Sequence, residues 1–167
     1  MSEPDQIFVP GTECLIRSLG KDPELSQRLA EMGVLPGSRL QVLRHAPLGG
    51  TVEASVDDGE TLALRTSELG QMRCAFTALP LGVAAGFLAP PLRIRALQGG
   101  RGFRERMGER GLDPGRLIRI REAGPQRMVV VPEGGGQAVA LGRGEALKII
   151  VEPLSPPTPR AHTDPGP

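Results

Sequence analysis

Apolar positions along this chain fall into short alternating runs separated by turn residues, and the same order of runs occurs twice. In the first half, residues 14–19 alternate loosely between apolar and polar, the period-two pattern of a strand with one buried face. Leu25, Leu29 and Met32 then recur at spacings of four and three, which places them on one face of a short helix. Asp22 stands where its carboxylate can accept a bond from a free N–H of the first helical turn. Pro23 fits the first helical position, where no N–H is needed. Gly33 is placed to end the helix in the left-handed conformation that a Cβ disfavours. Pro36-Gly37 predicts a type II turn. Leu40 and Val42 alternate again, and Val52, Ala54 and Val56 lead through Asp57-Asp58-Gly59-Glu60 into Leu62 and Leu64, which predicts a hairpin. A one-turn helix around Glu68 and a last strand over 72–76 complete the unit.

The second half repeats this order. At a shift of 78 positions residues 14–43 overlay residues 92–121, with identities at Ile16/Ile94, Arg17/Arg95, Leu19/Leu97, Arg28/Arg106, Glu31/Glu109, Gly33/Gly111, Pro36/Pro114 and Gly37/Gly115. At a shift of 77, Leu62, Leu64, Glu68, Met72 and Cys74 meet Val139, Leu141, Glu145, Ile149 and Val151. The second hairpin turns at 132–136, a helical turn surrounds Glu145, and the last strand is expected over 148–152. Arg110 stands in the place of Met32, so the buried stripe of the second helix is narrower or Arg110 snorkels out of it. The pattern predicts a mainly β protein of two tandem SH3-like small β-barrels, each with one short helix after the first strand and a helical turn before the last. The expected boundaries are a first barrel over 1–76, an apolar connector broken by Pro and Gly over 77–91, a second barrel over 92–152, and a Pro-rich tail over 153–167 too polar to pack.

Composition narrows the function classes. The 167 residues carry 20 Lys and Arg against 19 Asp and Glu, a balance that argues against a general polycation coating nucleic acid. Charge is nevertheless uneven, because residues 92–121 hold a basic belt that includes Arg93, Arg95, Arg101, Arg104, Arg116, Arg119 and Arg121. Cys14 and Cys74 are the only cysteines and belong to no metal-type cluster, which predicts a reduced, cytoplasmic protein. The Met1 end shows no export signal, and the weakly polar run 75–92 is too interrupted by Pro and Gly to span a membrane. With 4 Phe and neither Tyr nor Trp, the cores must be aliphatic.

The stretch RLAEMGVLPGSRLQVLRHAPLG, residues 28–49, resembles the core motif of the FeoA family, and LALRTSELGQMRC, residues 62–74, is similar to its closing segment. RMGERGLDPGRLIRI, residues 106–120, and VALGRGEALKIIV, residues 139–151, match the same two places in the second unit. The resemblance implies a cytoplasmic, non-enzymatic SH3-like module that works with the membrane ferrous-iron permease FeoB, a protein with a GTPase domain. The same fold occurs as the regulatory C-terminal domain of iron-dependent repressors, and a metal-ion sensor or carrier is a further reading. The second unit departs from the pattern: Glu122-Ala123-Gly124-Pro125-Gln126 replaces Ala46-Pro47-Leu48-Gly49-Gly50.

Candidate sites follow from these features. Ala46, Pro47, Leu48, Gly49 and Gly50 form an apolar tip that suits docking on a partner, or simply a turn. The arginine belt suits an acidic protein surface, anionic headgroups or nucleic acid, although the lack of aromatic stacking residues argues against the last. Membrane contact is therefore expected only indirectly or through the belt, and self-association stays open. No metal ligand set is assigned: His45 lacks a second ligand nearby, Cys14 and Cys74 read as core, and Asp57, Asp58 and Glu60 read as a turn with at most a weak cation site. Weak contact with Fe²⁺ or another transition metal is left open. Neither a triad nor a phosphate-cradling loop appears, so the sequence predicts no enzyme.

Overall fold

The computed structural model describes residues 7–155. In the first module β1 (Glu13–Ser18) is followed by α1 (Pro23–Glu31), β2 (Arg39–His45), β3 (Thr51–Val56), β4 (Thr61–Arg65), the one-turn α2 (Thr66–Leu69) and β5 (Arg73–Pro80). A short α3 (Leu81–Ala84) precedes the second module: β6 (Leu92–Leu97), α4 (Arg101–Glu109), β7 (Leu117–Ala123), β8 (Arg127–Pro132), β9 (Val139–Gly142), α5 (Arg143–Ala146) and β10 (Ile149–Pro153). The protein is mainly β, with the expected helix after the first strand and helical turn before the last in both halves. The expected Pro-rich tail lies outside the described residues from 156 onward, and its first residue, Pro153, ends β10.

Local chemistry explains the shared outline. The Asp22 side chain accepts from the N–H groups of Glu24 and Leu25 at 3.0 and 3.3 Å, capping α1. At its other end Gly33 has φ +84°, the Gly33 N–H donates to Ala30 O, and Val34 N–H donates to Leu29 O at 2.9 Å. This is a Schellman stop, and its apolar contact joins two fully buried side chains, Leu29 and Val34. The same bonds close α4 at Gly111, where Met107 and Leu112 are the buried pair. Asp57 and Asp58 both take positive φ, the geometry of a type I′ turn, whose twist suits the β3–β4 hairpin.

Each module forms a five-stranded antiparallel ladder, β4-β3-β2-β1-β5 in the first and β10-β6-β7-β8-β9 in the second. Ile16, Leu29, Leu40, Val52 and Leu64 fill the first core. Ile94, Met107, Ile118, Val130 and Leu141 fill the second.

The two ladders are joined edge to edge into one ten-stranded sheet. β5 does not stop at Phe76 but runs to Pro80, and its end pairs with β10 through Leu79↔Val151 and Pro80↔Ile150. Residues 77–91 are thus more than a spacer. Leu79, Leu81 and Ala84 are buried in the second core, where Ile7 from the chain's beginning joins them. Three of the 4 phenylalanines meet at the same junction: the Phe8 and Phe76 rings lie 5.9 Å apart, and the Phe76 and Phe87 rings 5.7 Å apart. Phe76 packs against both cores.

A charged contact crosses the junction as well. Glu13 on β1 is buried, accepts from the Thr77 hydroxyl at 3.2 Å, and pairs with Arg95 of β6 at 2.9 Å. The hydrogen bond to Glu13 holds the Arg95 guanidinium above its ordinary pKa, partial burial acting the other way.

Candidate functional site

The tip between β2 and β3 is built on a fixed base. Ala46 N–H donates to Thr51 O at 2.9 Å and Gly49 N–H to Ala46 O at 3.0 Å, so residues 46–49 form a closed turn. Gly49 and Gly50 have φ of +74° and +67° with nothing near a hypothetical Cβ, so conformation rather than space demands glycine there. At the foot of the turn the buried Thr66, first residue of α2, donates its N–H to Gly50 O at 3.0 Å. Just below, Arg44 grips Glu53 with two bonds of 2.6 and 2.9 Å across the hairpin. Leu43 follows the buried Val42 and faces outward by strand alternation, 42% exposed, and Leu48 at the apex is 100% exposed. A rigid stem therefore carries an apolar tip into solvent.

The second module keeps the stem and changes the tip. Arg143 N–H donates to Gln126 O at 3.1 Å, the counterpart of the Thr66 tie, and Gly124 N–H donates to Arg127 O at 2.9 Å. Glu68 and Glu145 also share a double role. One oxygen of each accepts from the backbone N–H before its helical turn, at Arg65 and Gly142, and the other pairs with an arginine in, or immediately after, the long helix. In the first module that arginine is Arg28. In the second it is Arg110, which leaves the core as expected and also donates to Ala140 O, whereas the sequence counterpart of Arg28, Arg106, is exposed.

The arginine belt is mostly engaged within the protein. Arg93 pairs with Glu152 at 3.5 Å, Arg101 with Glu105 at 2.8 Å, Arg119 with Glu133, and Arg116 donates to Gly135 O at 2.9 Å. Arg95 is the junction residue described above. Among the described residues only Arg104 and Arg121 of the seven make no ion pair or side-chain hydrogen bond, and they lie on α4 and β7 rather than on one element. The belt is therefore not one free cationic face. Glu13, the partner that turns Arg95 inward, was signalled in the sequence only as a carboxylate opening an apolar strand.

The remaining candidates resolve similarly. Asp57 accepts from Arg39 N–H at 2.8 Å and Asp58 pairs with the Arg39 side chain at 2.8 Å, so this acidic turn is tied to β2. The backbone bond from Arg39 is the chief reason that the Asp57 carboxyl is held below its usual range. His45 is exposed, and among the described residues no three His, Cys, Asp or Glu side chains are grouped to hold a metal. Cys14 and Cys74 sit diagonally across the β1–β5 ladder, facing the first core. The neighbouring Cys74 sulfur and burial both push the Cys14 thiol up, and Cys14 is fully buried whereas Cys74 is partly accessible. Alkylation by iodoacetamide at neutral pH should therefore modify Cys74 first and leave Cys14 untouched until the protein unfolds, which peptide mass mapping reads directly.

No helix among the described residues is long and apolar enough to cross a membrane. Together these features define a doubled, mainly β module with a protruding apolar tip. The chain belongs to the FeoA family: the FeoA domain matches it twice, over residues 8–75 and 91–153. It is similar to the solution structure of iron(II) transport protein A from Clostridium thermocellum, with 30% identity, a TM-score of 0.52, and coverage of 92% of this chain and 90% of that one. A crystal structure of an iron uptake regulatory protein (FeoA) matches at 26% identity and TM-score 0.38, covering 45% of this chain and 96% of that one. The solution structure of a FeoA protein from Chlorobium tepidum matches at 30% identity and TM-score 0.35, covering 38% and 60%. No protein of curated function matches the chain.

Proposed function

We propose that this protein is a non-enzymatic, cytoplasmic accessory of ferrous-iron transport that docks on the cytoplasmic part of a FeoB-type permease carrying a GTPase domain, chiefly through the tip of its first module. Membership of the FeoA family supports the assignment to ferrous-iron transport. The observation that carries the docking surface is Leu48, fully exposed on a stem whose backbone is hydrogen-bonded at every level. A turn whose backbone is already fixed need not be ordered on binding, and an apolar side chain at its apex removes its whole surface from water when a partner covers it.

Leu48→Asp tests this reading. A central apolar anchor contributes about 2 kcal/mol or more to an interface, so co-purification with the permease should weaken roughly 30-fold. Because Leu48 buries nothing within the chain, the thermal midpoint should stay within about 2 °C of the parent. Unchanged association, with ferrous-iron uptake also unchanged when the gene is deleted, would overturn the proposal.

A further inference from the structure

The loop that replaces the apolar tip in the second module borders a recess instead of projecting freely. A groove of about 610 Å³ lies between this loop, α3 and α5. Met128 and Ala146, both buried, form its floor, and Val83, Phe87 and Pro125 stand along its sides. Phe87 is held in place edge-on against Phe76, so this side of the groove is tied to the junction between the modules. The groove exists only because α3 and the residues after it pack onto the second module; a single module could not form it.

Its charge is one-sided. Arg127 and Arg143 line the groove, no Asp or Glu does, and the β8–β9 register sets Arg127 opposite Gly142, next to Arg143. Both arginines are exposed, and among the described residues neither forms an ion pair, unlike most of the belt. Paired guanidinium groups above an apolar floor match a ligand that is apolar at one point and anionic beside it.

We propose that this groove binds a short acidic peptide segment of a partner protein, an apolar side chain seating over Met128 and Ala146 while neighbouring carboxylates pair with Arg127 and Arg143. A flat bilayer could meet the arginines but could not reach the buried floor. The exposed apolar apex of a second copy is Leu48, and its turn, residues 46–50, contains no carboxylate to meet two arginines. The inference is independent of the tip of the first module.

Selection of a phage-displayed library of random short peptides on the full chain tests it. The expected result is enrichment of Asp and Glu beside Leu, Ile or Phe. A synthetic consensus peptide should bind the parent protein, lose affinity as salt rises, and bind Arg127→Glu/Arg143→Glu about 30-fold more weakly. Leu48→Asp should bind that peptide normally, which separates this site from the docking tip. Both arginines are exposed, so the double variant should keep its fold, as circular dichroism checks; Val83→Asp gives a second, uncharged-rim test and should weaken the same peptide. The proposal is overturned if no peptide is enriched, if enrichment shows no acidic bias, or if the variants bind the consensus normally. It is likewise overturned if the two arginines instead govern sedimentation with phosphatidylserine vesicles or a monomer–dimer equilibrium.

Discussion

Leu79→Ala should destabilise the protein by about 3–4 kcal/mol and loosen the second module first. Leu79 belongs to β5, a strand of the first module, yet it is 0% exposed and sits in the core of the second beside Ile94, Leu81 and Ile149. Removing three of its side-chain carbons loses their transfer energy and leaves a cavity that two rigid ladders cannot readily collapse into. Its backbone is the register partner of Val151 in the short ladder joining the modules, so the defect falls on the seam between them. Urea unfolding followed by circular dichroism would measure the shift in midpoint, with Leu43→Ala, an outward-facing control, expected within about 0.5 kcal/mol of the parent. A cost under about 1 kcal/mol for Leu79→Ala would mean that the inter-module packing contributes little.

Arg95→Met carries the second large effect, a loss of about 2–3 kcal/mol. Its partner Glu13 has a side chain only 8% exposed, and taking away the cation leaves a buried carboxylate with one hydroxyl donor, Thr77. Breaking a buried pair from one side is costly because the remaining charge is neither solvated nor neutralised. The Arg95 side chain is 38% exposed, so the guanidinium keeps some solvent and the effect falls below that of a wholly buried pair. Adding Glu13→Gln should restore most of the loss, since the amide has no charge to strand. A double-mutant cycle by denaturant unfolding should therefore give a coupling of about 2 kcal/mol or more. Additive single effects would remove the pair from the account of how the modules are held together.

These two residues also mark the limit of what was legible beforehand. The helix stop at Gly33, the cap at Asp22, the hairpin at Asp57–Asp58 and the helical turn at Glu68 are local devices. Each depends on residues within one or two turns of chain, and each appears in the structure where the pattern put it. Arg110 likewise left the core as its charge required, because no apolar face can hold an unpaired guanidinium. Residues 77–91 were harder. Their Pro and Gly read as a connector, but Pro80 closes β5 rather than preventing it, and Leu79 and Leu81 point into a core whose other members lie far away in sequence. The partners of the arginine belt were hidden for a related reason: the carboxylates that engage Arg93, Arg95 and Arg119 come from Glu152, Glu13 and Glu133, none of them on the same strand.

The sequence by itself determined two copies of one mainly β module, their order of elements and the apolar face of each, because periodicity and turn chemistry act over a few residues. It also placed an apolar tip in the first copy alone. Only the tertiary structure decided that the copies share one sheet, that Glu13 and Arg95 meet across it, and that a groove opens beside the second loop. Edge-to-edge pairing is made by backbone N–H and C=O groups that every residue carries, so it leaves little trace in side-chain pattern, and a buried charge declares its partner only when distant strands come together.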